Sequence, residues 1–204
     1  VDRELSYSEA LCEATHQIME RDARVVVFGL GVDDPKAILG TTRGLVQRFG
    51  ADRVFDTPLS EDAMTGTAIG MALAGLRPVH VHIRMDFLML AMNQIVNLAA
   101  KKHYMSGGQE SVPLVVRCII GKSWGQGAQH SQGLYSFFMH VPGLKVVAPA
   151  TPYDAKGLFK SAIRDDNPVV IFEHKISYRK VKGPVPEGEY VIPFGVADVK
   201  REGR

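Results

Sequence analysis

The sequence predicts an α/β protein: a doubly wound, mainly parallel sheet with helices on both faces. Two observations carry that expectation. Apolar runs such as Val25-Val26-Val27-Phe28 are uninterrupted, as strands buried on both faces require. Segments of strand character also alternate with segments of helical spacing, the order that crossover connections between parallel strands produce. Composition agrees, since 204 residues with 46% hydrophobic and 23% charged side chains make an ordinary globular chain with one core.

The first elements are well signalled. Ser6-Tyr7-Ser8-Glu9 has the Ser-x-x-Glu form of a capping box, and Leu11, Ala14, Ile18 and Met19 hold one apolar face as far as Arg21. The strand Arg24 to Phe28 runs into Gly29-Leu30-Gly31-Val32-Asp33-Asp34. That stretch opens like a dinucleotide fingerprint but lacks the third glycine, and no helix is signalled until after Pro35. Thr41 to Phe49 reads as a short helix stopped by Gly50, Arg53 to Asp56 as a short strand, and Pro58 as a turn. Ser60 is the expected N-cap of the next helix, which puts Glu61 in its first turn at the carboxyl edge of the strand. Open α/β sheets hold their ligands at that edge. Glu61 and Asp62 also complement the helix dipole, worth roughly 0.3 to 1 kcal/mol each, so these acids have a structural explanation beside a catalytic one.

Gly66, Ala68, Gly70, Ala72 and Ala74 give this helix small positions at which a ligand or another backbone can approach. Val79-His80-Val81-His82-Ile83 alternates like a half-buried strand with both histidines on one face. No third ligand has suitable spacing, so a solvated or hydrogen-bonded pair is favoured over a metal site. Asp86 to Tyr104 carries Leu88, Ala91, Met92, Ile95, Leu98 and Ala99 at helical spacing, with its methionines as core filler, and closes at Gly107-Gly108. Val112 to Ile120 is a buried strand. The loop from Gly121 to Gly133 is too polar and glycine-rich to be core and longer than a sheet connection needs; within it His130, beside Gln129, Ser131 and Gln132, is suited to donate to an anionic or carbonyl oxygen. Leu144 to Ala148 is a strand, Thr151 caps a helix to Ile163 with Pro152 at its first position, and Pro168 to Phe172 is the last strand. From Lys180 the composition turns to Pro, Gly, Glu and Lys, so 1–180 is expected as the folded domain and 181–204 as a linker.

The 24 basic and 22 acidic residues are well mixed and sum to +2, which leaves no electrostatic footprint for nucleic acid or an anionic membrane. No apolar run approaches the roughly 18 residues of a membrane span, and Val1-Asp2-Arg3-Glu4 carries no signal-peptide pattern. Cys12 and Cys118 fall in a helix and a buried strand and read as reduced thiols, which points to the cytoplasm, or the mitochondrial matrix in a eukaryote.

Several blocks together resemble one family. They are Asp56-Thr57-Pro58-Leu59-Ser60-Glu61, Ala74-Gly75-Leu76-Arg77-Pro78, Tyr104-Met105-Ser106-Gly107-Gly108, Ala128-Gln129-His130-Ser131, His140-Val141-Pro142-Gly143-Leu144-Lys145-Val146-Val147 and Ala162-Ile163-Arg164-Asp165-Asp166-Asn167-Pro168. In order and spread over nearly the whole chain, they look like the N-terminal, pyrimidine-binding (transketolase-like) domain of the β subunit of thiamine-diphosphate-dependent 2-oxoacid dehydrogenases, of the pyruvate, branched-chain and acetoin type.

The resemblance implies oxidative decarboxylation of a 2-oxoacid with acyl transfer to lipoyl. It implies three partners: an α subunit, a second β chain and the lipoyl acyltransferase of the complex. No Gly-Asp-Gly with a downstream Asn occurs here, so Mg2+ and the diphosphate of the cofactor are expected on the partner chain. Glu61 then matches the glutamate that hydrogen-bonds the aminopyrimidine, where a shared proton favours the imino tautomer. Leu59 and Phe87 match positions that pack around the pyrimidine, Met85 lies where an aromatic residue is common, and His130 matches the active-site loop histidine. The resemblance further implies a structural potassium ion on the backbone oxygens of Leu114, Ala162, Asp165 and Asn167. Two departures stand out. Gly29 is followed by Leu30 where the family usually has an acid, and the aromatic-rich strand before Phe87 reads His80-Val81-His82-Ile83-Arg84-Met85. Two other readings compete: the pyrimidine domain of a split transketolase-like enzyme acting on a sugar or hydroxyketone, and a non-catalytic assembly subunit.

Overall fold

The computed structural model describes residues 3–122, 125–199 and 201–203. Ser123 and Trp124, in the long polar loop, lie outside the described residues. β1 (Arg3–Ser6) leads into α1 (Tyr7–Arg21), which begins in the expected capping box: Glu9 N donates to Ser6 Oγ at 3.3 Å and Ser6 N to the Glu9 carboxylate at 2.8 Å. β2 (Val25–Gly29), α2 (Ala37–Gly40), α3 (Leu45–Phe49), β3 (Val54–Asp56), α4 (Glu61–Leu73) and β4 (Arg77–His82) follow. A 3-10 segment (Met85–Ala91), a π-helical segment (Asn93–Ala99) and α5 (Ala100–Met105) then lead to β5 (Val115–Ile120). The chain closes with a 3-10 turn (Ala128–His130), α6 (Tyr135–Met139), β6 (Lys145–Val147), α7 (Pro152–Arg164), β7 (Val169–His174), α8 (Ser177–Lys180) and β8 (Lys182–Val185).

Six strands form one sheet in the order β3-β2-β4-β5-β7-β6, and all five pairings are parallel. From β2 the chain steps outward to β3 and returns with β4 on the other flank of β2, so the winding direction reverses between β2 and β4. Alternate strand residues feed two separate cores. Val25, Val27, Val79, Val115 and Ile171 pack with α1 and α7 residues on one face. Val26, Phe28, Val116, Cys118 and Phe172 pack on the other face with Ala68, Leu88 and Ile95. The doubly wound, parallel expectation therefore holds. Cys12 and Cys118 are both free thiols.

Local departures have physical causes. The expected 86–104 helix changes winding twice, because Met85 and Asp86 are tied to the polar loop: Leu134 N donates to Met85 Sδ at 3.1 Å, and Gln132 donates to Asp86 Oδ1 from its backbone at 3.2 Å and its side chain at 2.8 Å. The apolar stripe nevertheless keeps Leu88, Ala91, Ile95 and Ala99 buried. The 41–49 helix starts only at Leu45, since Gly44 has φ 75°. Ser60 precedes α4, but its side chain makes no capping bond. β4 is buried along nearly its whole length rather than half-buried, as it pairs on both sides with β2 and β5. The segment after Pro35 contains three residues at positive φ, Ala37 at 48°, Ile38 at 44° and Leu39 at 59°, each costing about 1 to 2 kcal/mol. Burial of Ile38 in the core opposes that cost.

Part of the segment read as linker is ordered against the domain. β8 pairs antiparallel with β1, and Glu189 accepts from Lys160 at 2.8 Å and pairs with Arg21 at 2.9 Å. Ser161 Oγ donates to Ile192 O at 2.6 Å.

Candidate active site at the carboxyl edge of the sheet

The winding reversal between β2 and β4 opens the sheet at its carboxyl edge, where an open α/β sheet binds its ligand. Three chain segments are fixed there by main-chain geometry. Gly29 ends β2 so close to β4 that an added Cβ would stand 2.2 Å from Val81 O, and only glycine fits at its φ of 144°. Leu30 N donates to Val81 O at 3.2 Å and Thr57 N to Gly29 O at 3.0 Å. Asp56, at the end of β3, accepts from Gly31 N at 3.1 Å and Asp33 N at 3.0 Å. The glycines after β2 thus serve the meeting of strand ends.

Glu61 opens α4 directly above this junction. An opening of about 210 Å3 is lined by Leu30, Leu59, Glu61, His82, Phe87 and His130, with Ile83 and Arg84 on its side. The structure therefore brings Glu61, Leu59, Phe87 and His130 from three separate segments to one opening. Leu59 is 80% exposed at the rim, and the rings of Phe87 and His130 meet edge-on at 5.2 Å. Met85 is not at the opening. It is fully buried, its sulfur turned to the Leu134 amide, so its contact with a ligand would be indirect.

Sequence reasoning missed the floor of the site. His80 and His82 are buried rather than solvated. Both are 2% exposed, their rings 4.4 Å apart, with His80 stacked on Phe28 at 4.8 Å. His82 Nε2 lies 3.4 Å from Thr65 Oγ1. Neither ring nitrogen of His80 makes a well-formed hydrogen bond. Burial depresses His80 to about 4, weakly opposed by the Phe28 backbone, and drives His82 well below the usual range, so both rings are neutral at physiological pH. A small gap lined by Leu30, Pro58, Ser60, Glu61, Met64, His80 and His82 lies between the pair and the acid. The i, i+2 spacing of the histidines was the available signal, and the buried position of β4 was not readable from it.

The four residues expected around potassium have the following hydrogen-bond partners. Leu114 O accepts from Val169 N at 2.9 Å, Ala162 O from Asp165 N at 3.3 Å, and Asp165 O from Arg77 Nη1 at 3.1 Å, while Asn167 N donates to Asp165 Oδ1 at 2.9 Å. Arg77 donates to Asp165 O, so a cationic group of the chain itself already stands at that carbonyl. Among the described residues no group of three or more His, Cys, Asp or Glu side chains is placed to hold a metal, and no helix is long and apolar enough to cross a membrane.

Fold and edge together define a doubly wound α/β domain with an acid at its switch point. Residues 3–181 match the family described as Transketolase, pyrimidine binding domain, and the chain belongs to that family. It is 48% identical over 199 residues to the 2-oxoisovalerate dehydrogenase subunit beta of Bacillus subtilis, covering 98% of this chain and 61% of the relative. It is 47% identical over 212 residues to the acetoin:2,6-dichlorophenolindophenol oxidoreductase subunit beta of Cupriavidus necator, covering 99% and 62%. It is 47% identical over 196 residues to the pyruvate dehydrogenase E1 component subunit beta of Porphyra purpurea, covering 96% and 59%. The chain thus spans about three fifths of the length of these relatives. A solved structure titled split gene transketolase, inactive beta4 tetramer, aligns with a TM-score of 0.66 at 18% identity, covering 84% of this chain and 51% of that one, which speaks for the fold.

Proposed function

We propose that this chain is the pyrimidine-binding part of a β subunit of a thiamine-diphosphate-dependent 2-oxoacid dehydrogenase, completed by an α subunit and a second β chain and serving a lipoyl acyltransferase. The observation that carries the reading is Glu61 at the start of α4, over the switch point, with Leu59, Phe87 and His130 around the same opening. Names of the relatives agree with it. The residues present fit a flat heteroaromatic ring, since Leu59 and Phe87 offer apolar surface and Glu61 a hydrogen-bonding carboxyl. When bound, thiamine diphosphate supplies the carbon nucleophile and the electron sink for decarboxylation, and Mg2+ with the diphosphate belongs to the α partner.

This chain's residues then have distinct tasks. Glu61 holds and exchanges a proton at the ring nitrogen, for which a carboxyl is suited and an amide is not. Phe87 and Leu59 orient the ring and keep water from it, and His130 donates to an oxygen of the substrate or the acyl carrier. The corner at Leu114, Ala162, Asp165 and Asn167 is the place for potassium. A split transketolase-like enzyme is the second reading, favoured by Leu30 and Arg84 at the opening in place of the family's pattern.

The test is Glu61→Gln in the enzyme assembled with its α partner. Turnover should fall at least about 100-fold, the scale of lost general acid/base catalysis, with a far smaller change in cofactor affinity. Hydrogen–deuterium exchange at the thiazolium carbon should slow in parallel. Equal exchange in wild type and variant would remove Glu61 from the chemistry.

A further inference from the structure

The loop that carries His130 is closed at its base. Gly121 N donates to Gln132 O at 3.3 Å, which joins the end of β5 to the far side of the loop. Among the described residues no group hydrogen-bonds the His130 ring, whose contact is the Phe87 ring at 5.2 Å. A side chain without a hydrogen bond of its own is placed by the backbone that bears it and by packing, so the groups that fix the chain around residue 130 also fix the imidazole.

Three consecutive residues at the start of the 3-10 segment supply that fixing. Phe87 meets His130, Asp86 binds Gln132 and Met85 binds Leu134, so the segment grips every second residue of the loop, the two chains running in opposite directions. A 3-10 turn holds about three residues, so successive side chains leave its axis roughly 120° apart and reach three places at once. Met85 is turned into the core, where its sulfur accepts from Leu134 N at 3.1 Å. Phe87 faces the Glu61 opening. Asp86, between them, is 8% exposed, and its Oδ1 accepts from Gln132 twice, from the backbone at 3.2 Å and from the side chain at 2.8 Å. Hydrogen bonds to a carboxylate are about twice as strong as neutral ones, and one oxygen that takes both donors of a residue fixes its direction as well as its distance.

We propose that Asp86 is the positioning residue for His130, and that Met85-Asp86-Phe87 acts as one clasp that sets the imidazole against the ring of Phe87 at the Glu61 opening. This rests on the reading of that opening as the active site, with His130 as a donor there. Asp86 touches neither cofactor nor substrate in this scheme and acts through Gln132, two residues beyond the histidine. An apolar residue at position 86 would leave both Gln132 donors without their acceptor, whereas Asn keeps an oxygen for them.

The experiment has a spectroscopic and a kinetic arm. In the full chain, proton NMR of the His130 imidazole reads the ring current of Phe87; loss of the signal in His130→Ala identifies it, and Phe87→Leu gives its position without the aromatic neighbour. Asp86→Ala should carry the signal most of the way to the Phe87→Leu position, while Asp86→Asn should stay near wild type. Gln132 is exposed, so Gln132→Ala removes the side-chain bond without disturbing the core and should move the signal in the same direction. A signal unmoved in Gln132→Ala and in a folded Asp86→Ala overturns the clasp. In the enzyme assembled with its α partner, turnover is measured with 2-oxoisovalerate and pyruvate, the acids for which relatives are named. Asp86→Ala and His130→Ala should each lower kcat/KM at least about tenfold, and the double variant should be no worse than His130→Ala. Additive losses would mean that Asp86 acts independently of His130 and would overturn the proposal. Hydrogen–deuterium exchange at the thiazolium carbon should be unchanged in Asp86→Ala, so failure of the clasp and failure of the Glu61 chemistry give different results.

Discussion

The buried histidine pair makes stability depend on pH above the carboxylate range. His80 is held neutral by burial, its pKa depressed to about 4, whereas in the unfolded chain it returns to about 6.5. Between those values the unfolded state binds more protons than the native state, so stability rises with pH and is lost on acidification. The full window corresponds to roughly 3 kcal/mol for His80, and roughly 2 kcal/mol is already lost near pH 5. His82 is depressed in the same direction and adds to the loss. The carboxylates that ion pairs or hydrogen bonds hold low, Glu9, Glu13, Asp22 and Glu189, lose stability only as pH falls below the ordinary carboxylate range, about 4, and leave this window largely clear. Urea unfolding followed by far-ultraviolet circular dichroism at about pH 7.5 and about pH 5 should show a drop of at least about 2 kcal/mol. The double variant His80→Leu/His82→Leu should be nearly flat over the same range. A wild-type difference under about 0.5 kcal/mol would refute the reasoning, because it would mean the rings are hydrated or protonated in the native state.

Three further outcomes follow from other parts of the molecule. Arg117 and Glu173, each 1% exposed or less, share two hydrogen bonds of 2.6 and 2.8 Å, and Tyr178 donates to the same carboxylate. Arg117→Met should cost about 3 to 5 kcal/mol by stranding that charge, and Arg117→Met/Glu173→Gln should recover much of it; scanning calorimetry reads both. Gly29→Ala forces a Cβ onto Val81 O and should cost at least about 2 kcal/mol in denaturant unfolding, with a cost near zero counting against the packed strand junction. Gly70 is exposed and nothing stands within 4 Å of an added Cβ, so Gly70→Leu should fold normally. The small positions of α4 leave room for another backbone, so if a neighbouring chain packs there, light scattering should show lost assembly in that variant, and unchanged assembly would remove α4 from the interface.

The parts of the fold legible in the sequence are those set by local chemistry. The Ser6 capping box, the uninterrupted Val25 to Phe28 run and the Thr151 cap with Pro152 each encode their element within a few residues, and all three appear in the structure. Elements that depend on distant partners were not legible. The burial of β4 comes from strands 52 residues before it and 36 after it in the Val27, Val79 and Val115 register, and no feature of Val79 to Ile83 announces a neighbour on each side. The irregular winding of 85–99 is likewise dictated by Gln132 and Leu134. Glu61 was legible because a strand, a turn and a helix start lie in one short stretch. A neighbouring cavity of about 270 Å3 was not, since Lys36, Arg84 and Lys175 in its lining are joined only by the topology.

Placement of the departures from the family's pattern bears on what the site does. Leu30, His82 and Arg84 all line the opening that also holds Glu61 and His130. Had those changes been drift, they would fall without regard to the cavity, and a neutral core would replace polar groups by apolar ones at no cost. The reverse is found at β4, where two histidines and an arginine occupy positions at or near the buried end of a central strand and the histidines accept a desolvation penalty large enough to hold them neutral. Polar groups retained at such cost in a cleft mark function more often than packing. Glu61 and His130, the residues proposed for the chemistry, match the family resemblance, whereas Leu30 and the 80–85 stretch at the floor and flank of the cleft depart from it. On the proposed reading that division separates the reaction from the donor, with the proton chemistry at Glu61 and selectivity in the surfaces beside it, and exchanging Arg84 should then change KM among donors more than it changes kcat.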